Sequence, residues 1–307
     1  MKPPSPERRT LLQAAGAAAL LSAMPDAFAA PAGLITRTIP RSGERLPAVG
    51  LGTYQVFDVA PSQLAATELQ AALKRFVELG GSVVDSSPMY GHAEAATGTL
   101  STALNARQSL FFATKVWTSG REAGIRQMEE SFRLMQTKTI DLMQVHNLLD
   151  LKTHLPVLRE WKKAGRIRYL GITHYHAGAH AEVEKLVKTG DFDFAQINYS
   201  MDEPEAGARL LPACADSGTA TLINRPFSQA GLFGRVRGKP LPPWCADMDC
   251  TSWAQFFLKW IISNPAVTCA IPGTGRVTHI EDNMAASTGR LPDAALRKKM
   301  AAYFSSL

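Results

Sequence analysis

The chain has 307 residues, a net charge of +6, 46% hydrophobic residues and 20% charged residues. That composition excludes a disordered or collagen-like chain and supplies a large core, either one big domain or two ordinary ones. Lys and Arg are scattered, with no block longer than Arg297-Lys298-Lys299, which argues against nucleic-acid binding; modest positive charge suits a phosphorylated small ligand equally well.

Residues 1–29 read as an export signal. Lys2, Arg8 and Arg9 give a positive start, Leu11 to Met24 is an Ala/Leu-rich run too short to span a membrane comfortably, and Ala27-Phe28-Ala29 offers a small-x-small cleavage site. Arg8-Arg9 followed by Thr10-Leu11-Leu12 resembles a twin-arginine signal, a route that exports folded proteins. An ordinary secretory signal and a chance basic start are the alternatives. The expectation is recognition by the export machinery, cleavage near Ala29, a periplasmic location and a mature single domain over 30–307. Loss of Lys2, Arg8, Arg9, Glu7 and Asp26 leaves a charge of +5. No later apolar stretch reaches 18 residues, so a soluble mature protein is expected.

From Thr36 to Arg45 the sequence reads as a hairpin turning at Ser42-Gly43. The stretch from Pro47 to Thr53 is the first buried strand. Leu64, Leu69, Ala72, Phe76 and Leu79 have helical spacing and predict one helix over 62–79, stopped by Gly80-Gly81. Alternation then continues through strands at 82–87, 109–116, 139–146, 167–173, 193–199, 219–225 and 267–272. The helices between and after them fall at 94–105, 121–137, 154–164, 178–188, 204–216, 251–263 and 277–286, with a final helix over 293–304. Strict alternation implies a parallel sheet with right-handed crossovers, and eight such units match a closed (β/α)8 TIM barrel with an N-terminal β-hairpin and a C-terminal extra helix. A doubly wound dinucleotide fold is the alternative. Its Gly-rich turn is missing, because Gln55 stands at the third position after Gly52.

Three successive strands end in a titratable group. One runs into Asp85, with Tyr90 five residues on; the next leads into Lys115; the third leads into His146. In a barrel, strand C-termini form the catalytic face. A free Tyr has a pKa near 10, and a neighbouring ammonium lowers it. Lys115 is placed to do so, Asp85 to hold Lys115, and His146 to hydrogen-bond a carbonyl. The four together suit protonation of an oxygen while hydride arrives at carbon, and since no side chain carries hydride, a nicotinamide is implied. Taken singly, an ion pair at the rim and a core histidine are the plainer readings of Asp85, Lys115 and His146.

In this order and spacing Asp85, Tyr90, Lys115 and His146 resemble the tetrad of the aldo-keto reductase family, over about residues 34 to 288. The resemblance implies Tyr90 as general acid, Lys115 and Asp85 tuning it, and His146 orienting the carbonyl of a small-molecule aldehyde, ketone or alcohol. It also implies cofactor contacts. Gly52, Thr53, Tyr54 and Asp85 come from the first strands. Thr173 and His174 stand where the family has Ser-Asn, and Gln196 and Asn198 match its sixth-strand pattern. Asn224-Arg225-Pro226-Phe227 replaces Tyr-Ser-Pro-Leu, so the usual aromatic against the nicotinamide is absent. Ile271, Gly273, Thr274, Arg276, Asp282 and Asn283 resemble the adenosine-phosphate segment. Arg276 as partner of a 2′-phosphate favours NADP(H) over NAD(H). By the same analogy Tyr54, Trp117 and His146 line the substrate pocket; the loop 227–250, with Trp244, is long enough that it could close over it.

Three further readings complete the set. His174, His176 and His180 have loose metal-ligand spacing, but no Cys or carboxylate completes it and no metal is expected. Cys245 and Cys250 are the one close cysteine pair, for which export would permit a disulfide. A monomer is expected. A cofactor-sensing subunit with little turnover on the same scaffold is the second functional hypothesis, and the intact tetrad argues against it.

Overall fold

The computed structural model describes residues 33–307; the export-signal reading falls on residues outside that range. The chain opens with an antiparallel hairpin, β1 (Thr36–Thr38) and β2 (Arg45–Pro47), joined by a turn in which Gly43 takes φ +77°. Eight parallel strands follow: β3 (Leu51–Gly52), β4 (Val83–Asp85), β5 (Phe111–Val116), β6 (Ile140–His146), β7 (Ile167–Thr173), β8 (Phe194–Asn198), β9 (Ala220–Asn224) and β10 (Cys269–Ala270). Each pairs with its neighbours in sequence order. The ring closes between its first and last staves through the parallel bridges Val49–Ala270 and Gly52–Gly273. The architecture is the expected (β/α)8 barrel.

Side chains alternate across a strand, so every second residue enters the barrel. Val83, Phe111, Ala113, Leu142, Tyr169, Phe194, Leu222 and Cys269 form one buried inner cluster. The rings of Phe111, Tyr169 and Phe194 pack with centroids 5.5–5.9 Å apart at its lower end. Ile39 and Leu46 of the hairpin join this cluster and plug the bottom. Each such side chain contributes roughly 1.5–3 kcal/mol on burial. The hairpin is latched by the Tyr169 hydroxyl, which donates to the Glu44 carboxylate at 2.5 Å and stands 2.8 Å from Ser42 Oγ. With the bottom filled, only the C-terminal end of the barrel is left for a site.

The outer ring comprises α1 (Leu69–Glu78), α2 (Ala93–Ala103), α3 (Arg121–Leu134), α4 (Leu151–Lys163), α5 (His180–Val187), α6 (Leu210–Asp216), α8 (Trp253–Ile262) and α9 (Val277–Ala285). A short α7 (Gly231–Arg235) lies in the β9–α8 connection, and α10 (Ala294–Ser305) ends the chain as expected. Among the described residues no helix is long and apolar enough to cross a membrane.

Two predicted helices are broken. Residues 62–79 divide into a 3₁₀ segment, Pro61–Ala66, and α1, with Thr67 extended between them at φ −119°, ψ 166°. Thr67 Oγ1 donates to the Leu64 carbonyl at 2.7 Å and accepts from the Leu69 N–H at 3.3 Å; these local bonds compete with the helical ladder. Residues 204–216 likewise divide into Glu205–Gly207 and α6. The Cys245 and Cys250 thiols are both buried and both free.

Candidate active site

The period-two rule places Lys115 two residues above Ala113 on β5, and Gln144 and His146 above Leu142 on β6. Register pairs Lys115 with Gln144, and Gly52 with Asp85. The polar layer therefore sits directly on the apolar plug. Lys115 is fully buried, and its Nζ donates to Asp85 Oδ2 at 2.7 Å and to the Ser86 carbonyl at 2.6 Å. The other Asp85 oxygen accepts from Gln196 Nε2 at 2.7 Å and from Gln144 Nε2 at 3.2 Å. Burial lowers the pKa of the ammonium; the Asp85 carboxylate and Tyr90 outweigh it and hold the Lys115 pKa above its ordinary value.

Tyr90 rides in the β4–α2 loop. Its N–H bonds the Ser87 carbonyl at 3.0 Å, and Gly91 turns the chain at φ +60°. A Cβ on Gly91 would lie 2.1 Å from Asp58 Oδ1, and any other residue would have to adopt this positive φ, both of which favour glycine there. Lys115 Nζ stands 5.0 Å from the Tyr90 ring centre. The Tyr90 and His146 rings meet edge-on at 6.0 Å, and the Tyr54 ring lies 5.0 Å from Tyr90. The four tetrad residues are thus brought together.

The electrostatics differ from expectation at Tyr90. Burial raises the phenol pKa and the Lys115 charge lowers it, with the net direction upward. Burial is the stronger influence, ahead of the Lys115 charge that opposes it. Burial, then the nearby Lys115 charge, pushes His146 down to about 3, so the imidazole is neutral throughout the physiological range.

A cleft of about 1150 Å³ opens above this layer. Gly52, Thr53, Tyr54, Asp85 and Tyr90 line one wall with Trp117 and His146. Thr173, Gln196, Asn224, Arg225, Pro226 and Phe227 line another, and Ile271, Gly273, Thr274, Asp282 and Asn283 a third. Gly52 is required where the first and last staves converge, since a Cβ would meet the Ile271 carbonyl at 2.8 Å. The described residues leave four large apolar side chains exposed: Tyr54, Met89, Trp117 and Tyr175. All four rim this cleft.

Several expected contacts fall elsewhere. The His174 ring does not line the cleft: Nδ1 accepts from the Tyr175 N–H at 3.0 Å and the two rings stack at the rim, while the His174 backbone donates to the Gln196 carbonyl at 2.9 Å and accepts from Asn224 Nδ2 at 3.0 Å. Asn198 bonds His180 and Glu203 instead of facing the cleft. Arg276 is exposed beside an adjoining groove with Gly275, Leu69 and Val56. Trp244 packs against Phe256 and Tyr303 under Lys299, away from the cleft. From the same loop it is Phe227, Gln229, Ala230 and Phe233 that reach the cleft, through a segment where Arg225, Ser228, Gln229 and Ala230 all take positive φ. Among the described residues no group of three or more His, Cys, Asp or Glu is placed to hold a metal.

Sequence reasoning missed Gln144, Ser87, Tyr175 and His279. Gln144 and Ser87 carried a usable signal, each lying two residues from a recognised site residue on a strand or its extension. His279 lines the cleft near Thr274, to whose hydroxyl its Nδ1 lies at 3.3 Å.

Residues 48–301 match the sequence model of the aldo/keto reductase family. The methylglyoxal reductase YeaE of Escherichia coli is 29% identical over 265 residues, which cover 84% of this chain and 91% of that protein. The NADH-specific methylglyoxal reductase of Escherichia coli is 23% identical over 83% of this chain and 95% of its own. An aldo-keto reductase from Klebsiella pneumoniae, solved in complex with NADPH, superposes with a TM-score of 0.72 at 24% identity, covering 88% of this chain and 96% of that one. With the barrel, the cleft and a family match across most of its length, the chain belongs to the aldo/keto reductase family and is an NAD(P)H-dependent oxidoreductase.

Proposed function

We propose that this oxidoreductase reduces a small aldehyde or ketone, with Tyr90 as the proton donor and NADPH preferred to NADH. The observation that carries the reading is the buried Asp85–Lys115 pair set beneath Tyr90 and His146 at the floor of one large cleft. Tyr90 keeps its proton at neutral pH and gives it to the carbonyl oxygen as charge develops there. His146, neutral, hydrogen-bonds the same oxygen and orients the carbonyl. Lys115 stabilises the phenolate left behind, and Asp85, held by Gln144 and Gln196, keeps Lys115 charged and in place. Tyr54, Trp117 and Met89 offer the substrate apolar surface at the rim of the cleft. A nicotinamide dinucleotide, when bound, supplies hydride to the carbonyl carbon.

The cleft suits such a dinucleotide. Asn224 Oδ1, Arg225 Nε and Asn147 Oδ1 have no partner among the described residues, and all three residues line the cleft. A buried polar atom left unpaired costs about 1–3 kcal/mol, which ligand groups relieve. Thr173, Gln196, Asn224 and Arg225 would hold the nicotinamide end. Gly273, Thr274, Asn283 and the first turn of α9 would hold the phosphate end, where backbone N–H groups suit an anion.

Arg276, at the N-terminus of α9, supports the preference for a 2′-phosphate. The NADPH-bound structural relative agrees with it, whereas the NADH-specific relative marks the alternative. Two relatives named as methylglyoxal reductases make small 2-oxoaldehydes the first substrates to try. Fluorescence titration of residues 30–307 is expected to show tighter binding of NADPH than NADH. Arg276→Ala should reduce that selectivity on the order of 10-fold, the size of one charge-assisted contact at an exposed site. Equal binding of both nucleotides, unchanged in the variant, would remove the NADPH assignment.

We further propose that the protein is exported as a folded monomer by the twin-arginine route and cleaved near Ala29. Mass spectrometry of the periplasmic fraction should find a chain beginning close to Ala30; an uncleaved cytoplasmic chain would sink this proposal.

A further inference from the structure

We propose that Ser87 is a positioning residue that selects the tautomer of His146, keeping the ring proton on Nε2 so that an N–H, and not a lone pair, faces the substrate oxygen. The proposal rests on reading the cleft as a carbonyl-reducing site.

Ser87 lies two residues beyond Asp85 and is fully buried. Its Oγ stands 3.0 Å from His146 Nδ1. A neutral imidazole has one N–H and one acceptor nitrogen, and whatever bonds one nitrogen decides what the other presents. Two arrangements satisfy the 3.0 Å contact: the hydroxyl donates to Nδ1, or it accepts from an Nδ1–H.

The surroundings of Ser87 separate them. Its Oγ already accepts the Met89 N–H at 3.3 Å. The neighbouring hydroxyl pair, Thr53 and Ser86, is closed on itself and on the Asp85 carbonyl, so it makes no claim on Ser87. His146 Nδ1 is the one acceptor recorded for the Ser87 proton among the described residues. A fully buried hydroxyl proton without an acceptor is costly, so the hydroxyl donates to Nδ1 and the ring proton resides on Nε2. Among the described residues Nδ1 is bonded to Ser87 and to no carboxylate; a carboxylate there would have favoured the opposite tautomer by demanding an Nδ1–H.

The consequence is chemical. With Nε2–H toward the cleft, His146 joins Tyr90 in donating to the carbonyl oxygen. With the other tautomer it would set a lone pair against that oxygen. Ser87 also ties the two donors together, since its carbonyl accepts the Tyr90 N–H at 3.0 Å while its hydroxyl fixes His146.

Long-range ¹⁵N–¹H spectra of the purified protein labelled at histidine report the tautomer directly, with His146 assigned through His146→Asn. The expected wild-type result is an unprotonated Nδ1 and a protonated Nε2. Ser87→Ala should give a mixture of tautomers and lower kcat for carbonyl reduction about 3- to 10-fold, the value of one neutral hydrogen bond, with nucleotide affinity unchanged. An Nδ1–H tautomer in the wild type overturns the proposal, as does an alanine variant that keeps both tautomer and rate. The spectra need no turnover, so a protein that reduced no carbonyl would refute the functional reading while leaving the tautomer assignment measurable.

Discussion

Tyr90→Phe is expected to lower kcat for carbonyl reduction at least about 100-fold, the low end of what a positioned general acid contributes. The substitution removes one oxygen and little else. The ring still packs against Tyr54 at 5.0 Å and His146 at 6.0 Å, and Lys115 keeps its bonds to Asp85 and Ser86. Nucleotide binding and thermal stability should therefore match the wild type, which separates a lost proton donor from a damaged site. The pH profile makes the same point. Burial holds the phenol above its ordinary value of 10.0, and His146 titrates only near pH 3. Reduction needs the phenol, so its rate should stay level across the neutral range and fall only above about pH 10. The reverse oxidation needs the phenolate and should rise with pH over the same window. A phenylalanine variant within tenfold of the wild type would remove Tyr90 from the chemistry.

Much of this site was legible because barrel strands write it at their ends. Asp85, Lys115 and His146 each close a short apolar run, and the run beginning at Ile167 and ending at Thr173 was read to the residue. Period-two alternation carried more than was drawn from it: Gln144 sits two residues before His146 and Ser87 two after Asp85, and both prove to hold tetrad residues. Other features had no local signal. Trp244 turns away from the cleft because Phe256, Tyr303 and Lys299 receive it, and no pattern within 227–250 foretells a contact with the last helix. The upward direction at Tyr90 follows from how deeply the fold buries the phenol, which spacing cannot reveal. The break at Thr67 was masked because the apolar spacing runs on through it, while one hydroxyl bond to Leu64 ends the turn.

Lys115→Met should cost about 3–5 kcal/mol of folding stability, the usual result of removing one partner from a buried ion pair. Asp85 is 3% exposed and Lys115 fully buried, so neither charge has water to fall back on. With the ammonium gone, Gln144 and Gln196 still donate to Asp85 Oδ1, but Oδ2 loses its 2.7 Å bond and the buried carboxyl group is left without a countercharge. Activity should vanish with stability in this variant, which alone would not distinguish a structural ion pair from a catalytic one. The double variant Asp85→Asn with Lys115→Met does. The asparagine carbonyl accepts the same two glutamine bonds, no buried charge remains, and most of the lost stability should return in urea titration. Catalysis should not return with it, because no cation is left to stabilise the Tyr90 phenolate. Recovery of fold and rate together would mean that the pair only braces the barrel and that Tyr90 acts without it; recovery of the fold alone, with kcat still at least about 100-fold down, assigns the Lys115 charge to the chemistry.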